Sequence, residues 1–195
     1  MYSKTKIFDF KEDPKNVRPG SILISEPFSR DAYFGKSVVL ITEHNDKGTI
    51  GFILNKPVVM PLSDLMKDFP DIKTNISIGG PVETNSVHFI HTLGKQIPET
   101  KLISKGLYWG GDFKKLNQLA SLGLIDQNHV KFFIGYSGWK PDQLKDEIEN
   151  NYWKIGTMSN ENMIDNDPRM WYNIVNQLGA SFKPWLNVPE NPSWN

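Results

Sequence analysis

The sequence predicts an α/β protein of the α+β type, in which a mixed or mostly antiparallel sheet is surrounded by helices. Strand-like and helix-like segments follow one another along the 195 residues without strict alternation. The segments with the highest β-propensity are separated by short turn sequences. The length suits a single domain, residues 1–195, with a polar lead-in at 1–20 and a Trp- and Pro-rich strap at 180–195.

The N-terminal third predicts a short helix around residues 7–10, a short strand at 21–25 and then a β-hairpin. Residues 37–43 and 49–54 are apolar and rich in β-branched side chains, which favours strands. The five residues 44–48, His-Asn-Asp-Lys-Gly, have strong turn chemistry. A hairpin with a five-residue loop follows.

The later elements are predicted from periodicity and from Pro and Gly at segment ends. Helices are predicted at about 62–67, 113–122, 141–150 and 167–178. Short strands are predicted at 76–78, 87–92, 108–109, 130–134 and 152–155. Most of the segment between 93 and 106 is predicted to be a loop. The strap is predicted to be extended, either packed on the body or offered to a partner.

Composition and charge exclude several classes of function. The 22 basic and 22 acidic residues give a formal net charge of zero, and no basic block occurs in either half. Direct nucleic-acid binding is therefore not expected, because it relies on basic side chains that neutralise phosphates. The absence of cysteine excludes disulfides and thiolate metal sites. With no signal peptide and no bilayer-length apolar stretch, we expect a cytoplasmic protein, and zero net charge favours a homo-oligomer.

Glu43 and His44 at the hairpin, with Asn55 after its second strand, form one candidate site. An imidazole beside a carboxylate can act as a general base. Alternatively, His44 and Asn55 hydrogen-bond the loop backbone and fix the turn.

The pair Gly79-Gly80 also has two interpretations. It can bring backbone amides close to an anion, or it can simply form a tight turn.

Residues 135–139, Gly-Tyr-Ser-Gly-Trp, lie between a predicted strand and a predicted helix. This context is similar to the nucleophile elbow of α/β-hydrolases. Trp139 occupies the last glycine position of that motif, however, and no histidine follows His129 to complete a triad. A glycine turn is therefore favoured over a Ser137 nucleophile.

Several side chains around residue 140 suit a binding surface. Tyr136 and Trp139 are amphipathic aromatics of the kind that dominate interfaces. Gln143 and Glu147 are one helical turn apart, so they share a helix face and can contact the same partner or loop.

Metal binding is not expected from the histidines. His88 and His91 fall in one predicted strand with an odd separation, which places them on opposite faces. Neither a metal nor another cofactor is predicted.

Together these segments resemble the YqgE/AlgH family. The resemblance rests on apolar strands flanking Glu43-His44, on Gly-Gly-Pro-Val at 79–82 and on Gly-Tyr-Ser-Gly-Trp at 135–139, in this order across roughly residues 18–180. It implies a single-domain α/β protein with a barrel-like, mostly antiparallel sheet surrounded by helices, in bacterial cytosol. Family members are often described as transcriptional regulators, and no catalytic residues can be carried over. The family usually has a small residue such as alanine where this chain has Ser137.

We therefore predict a non-catalytic regulatory or interaction module that binds a protein or a small ligand. The binding surface is predicted where several loops meet, at Glu43, His44, Asn55, Gly79, Gly80, Tyr136, Trp139 and Gln143. The alternative is an enzyme that uses Glu43, His44 and Asn55 with the Gly79-Gly80 backbone as an oxyanion cradle.

Overall fold

A computed structural model describes residues 7–11, 16–29 and 31–189. The strands are β1 (Phe8–Lys11), β2 (Ile22–Ser25), β3 (Val38–Asn45), β4 (Gly48–Ile53), β5 (Asn75–Ile78), β6 (Val82–His91), β7 (Lys101–Ser104), β8 (Leu107–Trp109), β9 (Val130–Trp139) and β10 (Trp153–Met158). The α-helices are α1 (Leu62–Leu65), α2 (Phe113–Ser121), α3 (Gln143–Glu149), α4 (Asn160–Ile164) and α5 (Met170–Gln177). Two 3-10 helices are Gly94–Gln96 and Ala180–Asn187.

All ten strands belong to one sheet, in the order β1-β10-β2-β3-β4-β9-β6-β8-β7, with β5 paired beside β9. Only the β5–β9 ladder is parallel among the ladders of the described residues. The predicted mostly antiparallel α/β fold is thus confirmed. The sheet curls until β7 contacts β3, but it is not closed, because no ladder joins these two strands among the described residues. A Lys101–Glu43 ion pair of 3.0 Å connects them instead.

Alternation along the strands divides the buried side chains into clusters on the two faces of the sheet. One cluster contains Leu40, Phe52, Phe133 and, from α5, Trp171. A second contains Leu23, Val39, Ile53, Trp139 and Trp153, and α3 covers it with Leu144 and Ile148. A third packs α2 against β9 through Leu116, Val130 and Phe132.

The predicted helix at residues 7–10 is wrong, because residues 8–10 belong to strand β1. β1 pairs antiparallel with β10, and Phe8 is buried in the cluster that also contains α5. This burial and the ladder hydrogen bonds override the weak local helix preference of a four-residue segment.

The hairpin of β3 and β4 is confirmed, but its loop is shorter than predicted. The ladder continues through His44–Thr49 and Asn45–Gly48, so only Asp46 and Lys47 lie between the strands. The Asn45 side chain accepts a hydrogen bond from the Lys47 amide at 2.8 Å, and Gly48 takes a φ of 134°. Asn45 and Gly48, two residues that favour turns, are therefore the last residue of β3 and the first residue of β4.

Residues 135–139 are also not the predicted turn, because β9 runs through them to Trp139. Their glycines allow a neighbouring segment to approach closely. A Cβ atom on Gly135, which has a φ of 67°, would lie 2.8 Å from the carbonyl oxygens of Gly80 and Val82. Ser137 is buried and donates to the Gly79 carbonyl at 3.0 Å, so its hydroxyl is not presented as in a nucleophile elbow.

Three C-terminal or connecting segments differ from prediction. The predicted loop between 93 and 106 contains a 3-10 helix and strand β7, and α4 was not predicted. Residues 180–187 form a 3-10 helix on the α5 side of the core in place of an extended strap, and Trp185 stacks on Trp171 with centroids 6.4 Å apart. The remainder of the strap, residues 190–195, lies outside the described residues.

Candidate functional site

A cleft of about 630 Å³ separates the tip of the β3–β4 hairpin from α3 and the turn that precedes it. We call it the α3 cleft. Its volume lies within the range of about 300–1,000 Å³ that is typical of ligand sites. Its lining residues come from the hairpin, from the segment before β2 and from α3 with its leading turn: Val17, His44, Asn45, Asp46, Gly48, Thr49, Lys140, Pro141, Asp142, Leu144, Lys145 and Glu149.

His44 forms part of the hairpin wall of the α3 cleft. The ladder places His44 opposite Thr49, and Thr49 opposite Trp139 on β9, so these side chains share one face of the sheet. His44 Nδ1 lies 2.7 Å from Thr49 Oγ1. This contact fixes the exposed imidazole and leaves Nε2 without a hydrogen-bond partner among the described residues.

The cleft is backed by a hydrogen-bonded cluster centred on Glu147 of α3. Its Oε2 accepts from the indole nitrogens of Trp139 at 2.9 Å and Trp153 at 2.7 Å. Its Oε1 accepts from Gln143 Nε2 at 2.9 Å. Both tryptophans are only 5% exposed, and their rings meet edge to face at 5.9 Å. The cluster therefore fixes α3 against the sheet.

Gln143 also shapes the turn between β9 and α3. Its Oε1 accepts from the Lys140 amide at 3.0 Å, so one side chain connects the turn to the Glu147 carboxylate. Asp142 in this turn takes a left-handed φ of 63°, a conformation that aspartate tolerates better than most residues. The predicted shared face of Gln143 and Glu147 thus corresponds to a direct contact.

Glu43 and Tyr136 lie on the other face of the sheet. Glu43 pairs with Lys101, and this hydrogen bond lowers the pKa of the Glu43 carboxyl from its usual value. The Lys101 ammonium sits 5.0 Å from the ring centroid of Trp109. Tyr136 packs against the cluster that contains Phe52 and Phe133, away from the α3 cleft.

Asn55 and the paired glycines are engaged inside the fold. Asn55 is 5% exposed, accepts from the Val38 amide at 2.8 Å and donates to the Lys36 carbonyl at 2.9 Å. The Gly79 amide donates to a β9 carbonyl at 2.8 Å, so it is occupied. Gly80, with a φ of 155°, approaches the β9 backbone more closely than a side chain would permit.

The structure therefore brings only part of the predicted set together. His44, Trp139 and Gln143 meet at the α3 cleft or in the cluster behind it. Glu43 and Tyr136 lie across the sheet. Asn55, Gly79 and Gly80 hold backbone segments in place.

Lys131 was missed by the sequence analysis. It is fully buried on β9, and its ammonium donates to the carbonyl of Leu54 at 2.8 Å and to that of Asp165. Burial lowers the pKa of Lys131 from 10.5 to about 7, and the nearby Asp165 carboxylate opposes this shift. The sequence does contain a pattern that indicates its burial, because Lys131 is a lone lysine between Val130 and Phe132 in an otherwise apolar predicted strand.

The described part of the chain also lacks a metal-binding cluster and a membrane-spanning helix. No group of three or more His, Asp or Glu side chains is arranged to hold a metal ion there. None of the helices described has the length and apolar character needed to cross a bilayer.

Sequence comparison shows strong similarity to one family. A family model described as AlgH-like (DUF179) matches residues 22–183. A UPF0301 protein of Bacteroides thetaiotaomicron is 39% identical over 191 residues, which cover 95% of this chain and 96% of that protein. A UPF0301 protein of Chlorobaculum parvum is also 39% identical, over 92% of this chain and 96% of its own.

Solved structures share the fold. A crystal structure of a Corynebacterium diphtheriae protein matches with a TM-score of 0.70 at 21% identity, covering 88% of this chain and 93% of that one. The solution structure of the AlgH protein from Pseudomonas aeruginosa matches with a TM-score of 0.67 at 23% identity, covering 92% and 93% of the two chains. At these identities the likeness extends to the fold alone.

Proposed function

The chain belongs to the AlgH-like family, and within it we propose that this protein is a binding module whose α3 cleft, a non-catalytic site, holds a small ligand or peptide segment with both an ammonium and a carboxylate group. The observation that carries the proposal is the cleft itself, about 630 Å³ in volume, backed by the Glu147 cluster. Hydrogen bonds that fix α3 against the sheet preorganise the cleft, which lowers the entropy cost of binding.

Unpaired charges of both signs support a zwitterionic ligand. Lys140 and Lys145 line the α3 side of the cleft, and neither ammonium has an ion-pair partner among the described residues. Asp46, Asp142 and Glu149 also line it and are likewise unpaired within the described part of the chain. A ligand with one group of each charge can engage both sets, and desolvation in a cleft strengthens such pairs relative to open surface.

An apolar strip supports a ligand that has a side chain as well as charged ends. Val17, Pro141 and Leu144 line the same cleft as the free charges. Binding sites commonly combine an apolar lining with a few polar groups that fix orientation. Short peptides and amino acids have both features.

The regulatory role implied by the family resemblance is part of this proposal, as is a location in the cytoplasm. The zero net charge supports a peptide or small-molecule ligand over direct nucleic-acid binding. The enzymatic alternative at Glu43, His44 and Asn55 gains no specific support. Glu43 pairs with Lys101 across the sheet, and Asn55 is occupied by the backbone.

A thermal-shift screen tests the proposal. The panel contains amino acids and di- and tripeptides, each peptide with free and with blocked termini, together with nucleotides and short DNA duplexes. A ligand at 100 times its Kd adds about 2.7 kcal/mol of stability. That corresponds to an increase in Tm of about 5–10 °C for a chain of this size.

We expect a free-termini peptide or amino acid to raise Tm, and Lys145→Ala to abolish the increase. Lys73→Ala is the matched control, because Lys73 is exposed, lies before β5 and does not line the cleft. The proposal fails if no panel member raises Tm. It also fails if blocked peptides act equally well, or if the increase survives in Lys145→Ala.

A further inference from the structure

Strand β6 contains a bulge opposite Gly135 of β9. The β6–β9 register jumps from Val82–Tyr136 to Val87–Ile134, so residues 83–86 oppose the single residue Gly135. Glu83 at the start of the bulge has a left-handed φ of 48°. Such bulges and strained residues are enriched near functional sites.

The bulge presents a serine beside a histidine. Ser86 Oγ lies 2.9 Å from His88 Nε2, and both residues are half-buried, so the pair is accessible from solvent. The Ser86 hydroxyl also lies 2.7 Å from the Glu83 carbonyl oxygen. Rotation about the Cβ–Oγ bond is enough to direct its proton to either acceptor.

Aromatic rings enclose the imidazole. The ring centroid of His88 lies 5.3 Å from that of Phe52, 5.7 Å from that of Tyr136 and 6.4 Å from that of Trp109. This burial lowers the pKa of His88 from 6.5, which favours the neutral imidazole, the form that can accept a proton. The Glu83 carboxylate opposes the shift. The same charge would stabilise an imidazolium formed in a reaction.

We propose that Ser86 and His88 form a nucleophile–base pair that accepts an acyl group from small carboxylic esters. Ser86 Oγ bonds to the ester carbonyl carbon while its proton moves to His88 Nε2, and the alkoxide leaves with that proton as the free alcohol. Water then bonds to the carbonyl carbon of the acyl-serine while one of its protons moves to His88 Nε2. The bond between that carbon and Ser86 Oγ breaks, His88 gives this proton to Ser86 Oγ, and the carboxylic acid is released.

The other hydroxyls that lie beside a histidine, and the serine of residues 135–139, are less suitable. Thr100 Oγ1 lies 2.9 Å from His91 Nε2, but His91 is completely buried. Thr49 contacts His44 at 2.7 Å, but Thr49 is only 4% exposed. Ser137 is buried and donates to the Gly79 carbonyl. Ser86 combines a partner imidazole with solvent access, on the sheet face opposite the α3 cleft. The proposal is therefore independent of the ligand proposed for that cleft.

The test labels the full chain with a fluorophosphonate and locates the adduct by peptide mass spectrometry. In that reaction a bond forms between Ser86 Oγ and phosphorus, fluoride leaves and the proton passes to His88. We expect the adduct on Ser86 and its loss in Ser86→Ala. In His88→Gln, which keeps a polar side chain but cannot take the proton, labelling should slow about 100-fold or more.

Ser121→Ala is the matched control. Ser121 is an exposed α2 serine whose hydroxyl bonds Asn117 and no histidine, so this variant should label at the wild-type rate. Melting curves of all variants establish that each is folded. The proposal is overturned if the folded wild type gives no Ser86 adduct. It is equally overturned if folded His88→Gln labels Ser86 as fast as the wild type.

Discussion

Replacing Lys131 by methionine should remove a specific pH dependence of stability. The lysine is fully buried. Its ammonium donates to the Leu54 and Asp165 carbonyls, lies 5.9 Å from the centroid of the Phe133 ring and is near the Asp165 carboxylate. Methionine has similar length and fills the space without a charge. The Leu54 carbonyl keeps a hydrogen bond from Ser77 Oγ at 3.2 Å, so only the Asp165 carbonyl loses its donor.

The sign follows from the direction of the shift. The pKa of Lys131 falls from 10.5 in the unfolded chain to about 7 in the fold. Between these values the unfolded state binds more protons, so the free energy of unfolding increases with pH. At 1.36 kcal/mol per pKa unit, this residue should add about 2–3 kcal/mol to wild-type stability between pH 6 and pH 9.

Urea unfolding at pH 6, 7, 8 and 9 measures the effect. The free energy of unfolding of Lys131→Met minus that of the wild type should be about 2–3 kcal/mol larger at pH 6 than at pH 9. Other titrating groups cancel in this difference. Lys73→Met, at an exposed lysine, should show a constant difference across the series. If the difference in the free energy of unfolding between Lys131→Met and the wild type is also constant across the pH series, the argument that burial lowers the pKa of Lys131 is refuted.

Two further substitutions test side-chain hydrogen bonds, one behind the α3 cleft and one inside the fold. Glu147→Ala should destabilise the fold by about 2–4 kcal/mol, because two buried indole N–H groups lose their acceptor, and the tryptophan fluorescence of the folded state should change. Urea unfolding should show a smaller loss for Glu147→Gln, which keeps an acceptor oxygen, and equal losses for both would contradict this reasoning. Asn55→Ala should cost about 2–3 kcal/mol in the same assay, because it leaves a buried amide and a buried carbonyl unpaired. A cost below about 0.5 kcal/mol would show that water replaces the side chain.

The strand pattern was predictable where burial and propensity agree. The hairpin of β3 and β4 has β-branched residues, alternation and turn residues in the right order, and the structure confirms it. The Asp112 N-cap of α2 was equally recoverable, because its carboxylate accepts from the amides of Lys114 and Lys115 as capping requires. These features depend on residues that are close in sequence.

Features that depend on distant contacts were not predictable. β1 is a strand because β10 pairs with it, and nothing within its four residues records that partner. Gly135 was interpreted as a turn residue, although its function is to let the β6 bulge pack on β9. The same local signal, a glycine with positive φ, serves both purposes, and only the tertiary structure distinguishes them.

The division of the predicted site has a simple geometric cause. Glu43 and His44 are adjacent in the sequence and were expected to act together, but consecutive residues of a strand point to opposite faces. His44 consequently lines the α3 cleft, whereas Glu43 pairs with Lys101 on the other face. The face opposite the cleft also contains His88, whose ring packs against Tyr136 and Phe52. One sheet can therefore carry the proposed binding site on one face and the proposed acyl-transfer pair on the other. Substitutions at Lys145 and His88 should affect these two sites independently.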